Sequence, residues 1–201
     1  NNVSSGISGD FGLSIFFNST NDLRVSYVEP ASPAGAAGIT RSWRIMSVNN
    51  NATINTDDAT ISRISTAVFN SASTSFVFRR PDNTDTAITL TAASYQEQPI
   101  LLDTIYTVGA EKVGYMVYNS FLGNTTAIKK DFDSLFNNFN SAGIQDIIVD
   151  LRYNGGGYVE LQNELANYLV PAAGNGGVML QEKYNDKYSR YYDTTINYAK
   201  K

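Results

Sequence analysis

The chain has 201 residues, 42% of them hydrophobic and 12% aromatic, enough for one large domain or two small ones with a real core. It carries a net charge of −4 with basic residues scattered along its length, which argues against a nucleic-acid surface, and no apolar run is long enough to span a membrane. There is no Cys and no His, so disulfides, thiol nucleophiles, His-based triads and most zinc, iron and copper sites are excluded, and no metal or cofactor is expected. Any nucleophile would need Lys, a carboxylate or an N-terminal amine as its base.

In chain order, "GLSIFF" (Gly12–Phe17) and "LRVSYVE" (Leu23–Glu29) read as two strands joined by the turn-rich "NSTN". "SPAGAAG" then offers Ser32 as N-cap, Pro33 at the first helical position and Gly38 as terminator of a short helix. "WRIMSVNN" (Trp43–Asn50) is a third strand. "TDDATISRISTAVF" (Thr56–Phe69) places Ile61, Ile64 and Val68 at helical spacing behind a Thr56 or Asp57 cap. "TSFVFRR" and "AITLTAA" form a hairpin across "PDNTD". The organisation changes near residues 95–111, "YQEQPILLDTIYTVGAE", a stretch expected to link residues 1–95 to residues 112–201; the first Lys of the chain is Lys112.

Beyond it, "VGYMVYNSF" (Val113–Phe121) is a strand and "AIKKDFDSLFNNFNSAG" an amphipathic helix, with Ile128, Phe132, Leu135, Phe136 and Phe139 on one face. Gly143 sits where a left-handed C-terminal cap belongs. "DIIVDL" (Asp146–Leu151) is continuously apolar at its centre, the pattern of a strand buried on both faces. After three glycines, "YVELQNELANYLV" puts Val159, Leu161, Leu165 and Leu169 at helical spacing. Strand, helix, strand, helix is the α/β pattern. The stretch from Val178 to Lys201 is rich in Tyr and polar residues and offers no closing signal.

Two places carry chemistry. Phe11–Gly12–Leu13, leading into the strand that continues through Ser14 and Ile15, is either a plain turn or a nest of amides able to hold a carboxylate. A strand edge beside it could take an extended peptide, with a helix as the other wall of the groove. The second place is "DLRYNGGG". Its glycines could serve a phosphate cradle, a structural turn or an oxyanion hole. The cradle fails on detail: counted from Gly155, the sixth position of G-x-G-x-x-G is Glu160, and no Gly-Lys-Ser/Thr follows. The turn and the oxyanion hole remain.

"LRVSYVEPASPAGAAGITRSWRIMSVNN", over residues 9–93 with a suitably placed helix at Thr56–Phe69, resembles the PDZ signature, most specifically at Ser32–Ile39. It departs where Ser42 and Trp43 stand in place of a usual Gly-Asp. "GYMVYNSF" followed by "DLRYNGGG" resembles the carboxyl-terminal processing, or tail-specific, peptidases, Ser–Lys enzymes that commonly carry a PDZ domain ahead of the catalytic core. The resemblance implies an α+β PDZ-like domain, a small partly open β-barrel with two helices, over residues 1–95. Part of an α/β peptidase core of the crotonase-like or ClpP-like kind would follow over residues 112–201.

It further implies peptide binding at Phe11, Gly12, Leu13, Ser14 and Ile15, with Ile61 and Ile64 on the helix wall. The glycine loop would donate to the oxyanion from Gly156 or Gly157, braced by Asp150, Arg152 and Asn154. The partner would be a protein or peptide with a free C-terminus, and the location extracytoplasmic, in a bacterial periplasm or cell envelope. In such peptidases a Ser in a small-residue turn and then a Lys follow the glycine loop. Here Ser189, in the tyrosine-rich "KYSRYYD", is the only Ser after Gly157, and "NSAST" (Asn70–Thr74) lies in the wrong part of the chain. The expectation is a chain that stops before its nucleophile and base and is inactive alone. The alternative is a non-catalytic peptide-binding protein on a degenerate peptidase scaffold.

Overall fold

The computed structural model describes residues 7–201. The chain divides into two compact units, Asn1–Leu101 and Leu102–Lys201.

In the first unit β1 (Ile7–Asp10) precedes β2 (Leu13–Ser19) and β3 (Asp22–Val28). The short helix α1 (Pro33–Ala36) leads to β4 (Arg44–Val48), and α2 (Asp58–Phe69) to β5 (Ser73–Arg79), β6 (Asp85–Thr91) and β7 (Ala93–Gln96). Strands β2 to β6 form one five-stranded sheet in chain order, while β1 pairs antiparallel with β7 as a separate ladder. The sheet is open, with β2 and β6 at its edges, and no closed barrel is made among the described residues.

Local signals explain the helices. Ser32 Oγ accepts from the Gly35 amide at 3.1 Å with Pro33 opening α1. For α2 the cap is Asp57 rather than Thr56: its carboxylate accepts from the Thr60 amide at 2.8 Å. The core between sheet and helices gathers Phe11, Leu23, Val25, Ile45, Val48, Ile64, Val68, Phe76, Phe78 and Leu90.

Ser42, where the PDZ resemblance expects glycine, has φ +74°. An L residue in that region carries strain that glycine lacks. Its amide is fixed to the Val25 carbonyl at 2.9 Å, and Trp43 beside it is buried under the Arg80 guanidinium. Ser42→Gly should therefore raise the stability of this unit by up to about 1 kcal/mol, read from the unfolding midpoint of Trp43 fluorescence. Trp43 is the only tryptophan, so the signal reports this unit alone.

In the second unit β8 (Ile100–Val108), β9 (Glu111–Tyr118) and β10 (Asp146–Asp150) form a three-stranded sheet in the order β10-β9-β8. Residues 96–111, read as a linker, thus contain the whole of the sheet strand β8, and the boundary between units falls within it. The long helix α3 (Thr125–Ala142) joins β9 to β10, which run parallel with Val113 opposite Asp146 and Val117 opposite Asp150. Asn124 caps α3 at the Ala127 amide (3.0 Å), and Gly143 ends it at φ +69°, the left-handed cap anticipated for it. Ile128, Phe132, Leu135 and Phe139 are its buried stripe, and α4 (Val159–Leu169) packs against it.

β10 is not buried on both faces. It is a sheet edge, half-buried at Ile147 and Val149 but 54% exposed at Ile148, the alternation of a strand with one covered face. Within α4, Leu161 and Leu165 are buried whereas Val159 and Leu169 are exposed, because the covered face is narrower than the apolar spacing suggests. The tyrosine-rich tail also has structure: β11 (Val178–Glu182) and β12 (Thr194–Asn197) pair antiparallel around the short α5 (Ser189–Tyr192). No helix among the described residues is long and apolar enough to cross a membrane.

Candidate functional site

The glycine loop leaves β10 at Asp150 and enters α4 at Val159. Asp150 is covered by its own neighbours. Its carboxylate accepts from the Arg152 amide at 3.1 Å, the Arg152 guanidinium at 2.6 and 3.0 Å, and the Tyr115 hydroxyl at 2.7 Å. The Arg152 side chain, then the Tyr115 hydroxyl, hold the carboxyl well below its ordinary 3.8. A depressed carboxyl stabilises the fold above its unfolded pKa, about 4, and that contribution is lost as pH falls through the folded value. Asp150→Asn should lower the unfolding midpoint of this unit at pH 7, and the gap to the wild type should begin to narrow below about pH 4, being smaller at pH 3 than at pH 7. Urea titrations at pH 7 and pH 3, followed by hydrogen exchange of β9 and β10 amides, would check this.

Asn154 spans the loop. Its Nδ2 donates to the Tyr118 carbonyl at 3.1 Å and its Oδ1 accepts from the Gly156 amide at 2.8 Å. The Gly155 amide donates to the Asn119 carbonyl at 3.3 Å. A parallel bridge then ties the loop to Phe121: Phe121 N–H donates to the Gly156 carbonyl (2.8 Å), and Tyr158 N–H to the Phe121 carbonyl (2.7 Å). Of the amides from Asn154 to Tyr158, that of Gly157 alone makes no hydrogen bond within the described residues, and Gly157 is exposed. The two glycines that sequence left equivalent are thus distinct in structure: Gly156 N–H is taken by Asn154, and Gly157 N–H is available.

Gly157 must also be glycine. Its φ is +143°, and a Cβ there would lie 2.3 Å from the Phe121 carbonyl carbon. The amide stands at the mouth of α4, whose N-cap, Tyr158, makes no side-chain capping bond. An anion placed there would meet one free N–H and the positive end of an 11-residue helix. Ser189 sits apart, at the start of α5 among exposed tyrosines, and its hydroxyl meets no Lys within the described residues. Residues Asn70–Thr74 fall at the end of α2 and the start of β5.

The first unit holds the second candidate. Gly12 turns at φ +67°, and a Cβ on it would strike Ser32 at 2.0 Å. The turn is clamped to α1 and the end of β3: Ala34 N–H donates to the Phe11 carbonyl, and Glu29 N–H to the Gly12 carbonyl, each at 2.9 Å. β2 follows with one free edge. A cavity of about 140 Å³ opens at this turn, lined by Phe11, Gly12, Leu13 and Ser14 on one side and Val68 and Phe69 of α2 on the other. Ile15 is half-buried against the core, Ile64 is buried in it, and Ile61 is 39% exposed, so the helix wall of this cavity comes from the last turn of α2.

Sequence reasoning missed the rest of the lining, Ser8, Asp10, Tyr27, Glu29, Tyr95 and Glu97. The pairing of β1 with β7 brings several of these together across more than 80 residues, and no local pattern announces it. Asp10 alone lay next to the recognised turn.

Residues 112–201 match the family model described as peptidase family S41. Among solved structures, the chain is similar to one assigned as an S41 protease from Bacteroides fragilis NCTC 9343. The TM-score is 0.71 and the identity 22%, over 98% of this chain and 55% of that one. It is also similar to the photosystem II D1 C-terminal processing protease, with TM-score 0.49 and 23% identity over 82% of this chain and 45% of that one. The PDZ domain of HtrA3 bound to a phage-derived ligand aligns with 45% of this chain over 90% of its own length, at TM-score 0.35 and 18% identity. No curated protein sequence matches. The Bacteroides structure establishes a shared fold, and the present chain spans 55% of its length.

Proposed function

We propose, from the premise that residues 112–201 belong to peptidase family S41, that the chain is the substrate-engaging and oxyanion-forming portion of a serine endopeptidase. The single observation that carries this reading is the free Gly157 amide, exposed at the start of α4 and flanked on both sides by hydrogen-bonded residues. In acyl transfer the substrate carbonyl oxygen becomes negative in the tetrahedral intermediate. A preorganised N–H stabilises it without reorganisation, and removing one such donor typically costs about 10²–10³ in kcat. Gly157 is the donor; Asp150, Arg152 and Asn154 hold the loop and do not touch substrate.

The chemistry is of the Ser–Lys type that the likeness of "DLRYNGGG" to the tail-specific peptidases implies. Ser189, half-buried among exposed tyrosines and without a Lys partner within the described residues, is not the nucleophile, and we assign the nucleophilic Ser and its Lys base to sequence beyond these 201 residues. The first unit is a PDZ-like module over residues 1–95, in which the free edge of β2 and the last turn of α2 engage an extended substrate segment, with cleavage near protein C-termini. We assign the protein to an extracytoplasmic compartment, a bacterial periplasm or envelope.

The test is cleavage of unstructured peptides by the 201-residue chain and by a protein extended to include the missing Ser and Lys. The extended protein should cleave, with sensitivity to a serine-directed fluorophosphonate, and the 201-residue chain should not. Fluorophosphonate-sensitive cleavage by the shorter chain would overturn this division of the active site.

A further inference from the structure

We propose that Asp10 fills the position at the head of the groove where a peptide's terminal carboxylate would sit, so that the groove reads an extended segment and not a free C-terminus. This rests on the reading of the first unit as a peptide-binding module. It concerns which chemical group that module accepts.

A turn such as Phe11–Gly12–Leu13 holds a carboxylate through N–H groups curled toward one point. Here the Gly12 N–H already donates to Asp10 Oδ1 at 2.7 Å. The same oxygen accepts from the Tyr95 hydroxyl at 2.6 Å, and the Asp10 backbone is held in the β1–β7 ladder opposite Ala93. The carboxylate is therefore gripped from two sides, and its own chain supplies the anion that a ligand would bring. Tyr95 is 9% exposed, and burial with the adjacent Asp10 raises its pKa, so its hydroxyl stays a donor.

The surroundings act in the same direction. Glu29, buried and accepting from the Gln98 amide at 3.2 Å, and Glu97, accepting from the Ser8 hydroxyl, line the same cavity. Among the described residues no Lys or Arg lines it. A terminal carboxylate entering here would lose its amide to Asp10 and face acidic side chains in a partly desolvated space, where like charges cost most. The edge of β2 and the Val68–Phe69 wall remain open to an extended segment, whose main-chain bonding needs no charge at its end.

The experiment compares one fluorescein-labelled peptide with an apolar last residue, as free acid and as C-terminal amide, by anisotropy against the 201-residue chain and its D10A and D10N variants. The wild-type comparison needs no variant: both peptides should bind within about threefold of each other, since a charge-assisted contact would be worth about tenfold or more. D10A, which vacates the amide, should bind the acid at least about tenfold tighter than the wild type does, with amide affinity unchanged. D10N, which keeps an acceptor for Gly12, should gain less. A wild-type preference for the acid of tenfold or more, or a D10N gain equal to that of D10A, would overturn the proposal while leaving the groove intact. Failure of both peptides to bind any of the three proteins would remove the peptide-binding reading and the proposal with it.

Discussion

Gly157→Ala is expected to destabilise the second unit by about 2–4 kcal/mol, through forced backbone strain and the hydrogen bonds that relieving it would break. The added methyl would lie 2.3 Å from the Phe121 carbonyl carbon, 2.4 Å from its oxygen and 2.8 Å from the Leu122 nitrogen. All three are backbone atoms, so no side-chain rotation relieves the overlap. Relief requires opening the bridge in which Phe121 donates to Gly156 and accepts from Tyr158. That movement swings the Gly157 N–H away, so on the proposed oxyanion role kcat of the extended protein should fall by about 10²–10³. Gly155→Ala is the control: a Cβ there meets nothing within 4 Å, and its stability change should stay within about 0.5 kcal/mol. Equal effects at both positions, in denaturation and in kcat, would contradict the assignment of Gly157.

The contrast between these glycines marks how far sequence could carry the argument. "DLRYNGGG" identified the loop, but spacing could not say which amide is free. That depends on the Asn154 side chain reaching the Gly156 N–H and on Phe121, more than 30 residues upstream, pairing with the loop. Both are tertiary facts. Where the physics is local, the residues spoke more plainly: the Ser32 cap, Pro33 at the start of α1 and the left-handed Gly143 all involve neighbours within one turn, and the cap of α2 was narrowed to Thr56 or Asp57, of which Asp57 serves.

The groove shows the opposite case. Periodicity in α2 marked Ile61 and Ile64 as one apolar face, yet it could not divide that face between core, solvent and cavity. Ile64 went to the core, Val68 to the core and the cavity wall together, Phe69 to the cavity wall, and Ile61 to solvent. The acidic lining was invisible because β1 and β7 were not read as strands, being four residues each with little apolar alternation. β11 and β12 escaped for the same reason, since their partly polar alternation resembles loop composition. β10 looked doubly buried because its apolar run was continuous, although only β9 pairs with it here.

Phe132→Ala should cost about 3–5 kcal/mol, and its damage should reach the glycine loop. The Phe132 ring is fully buried, 5.2 Å from the Tyr118 ring and 6.5 Å from that of Tyr168, so it joins α3 both to β9 and to α4. Tyr118, also fully buried, has no hydrogen-bond partner for its hydroxyl among the described residues, and packing holds its ring between that of Phe132 and that of Phe121, the latter at 4.8 Å. The same residue's carbonyl accepts from Asn154, and Phe121 bridges to Gly157. A void at position 132 frees the Tyr118 ring to move toward a partner for its hydroxyl. Loop geometry would then loosen at both of its anchors. Hydrogen exchange should accelerate across α3, β9 and residues 154–158, while the Trp43 unfolding transition in the first unit stays where it was. Loss of stability confined to α3, with unchanged protection at Gly156 and Tyr158, would show that the loop is held by its hydrogen bonds independently of the aromatic core.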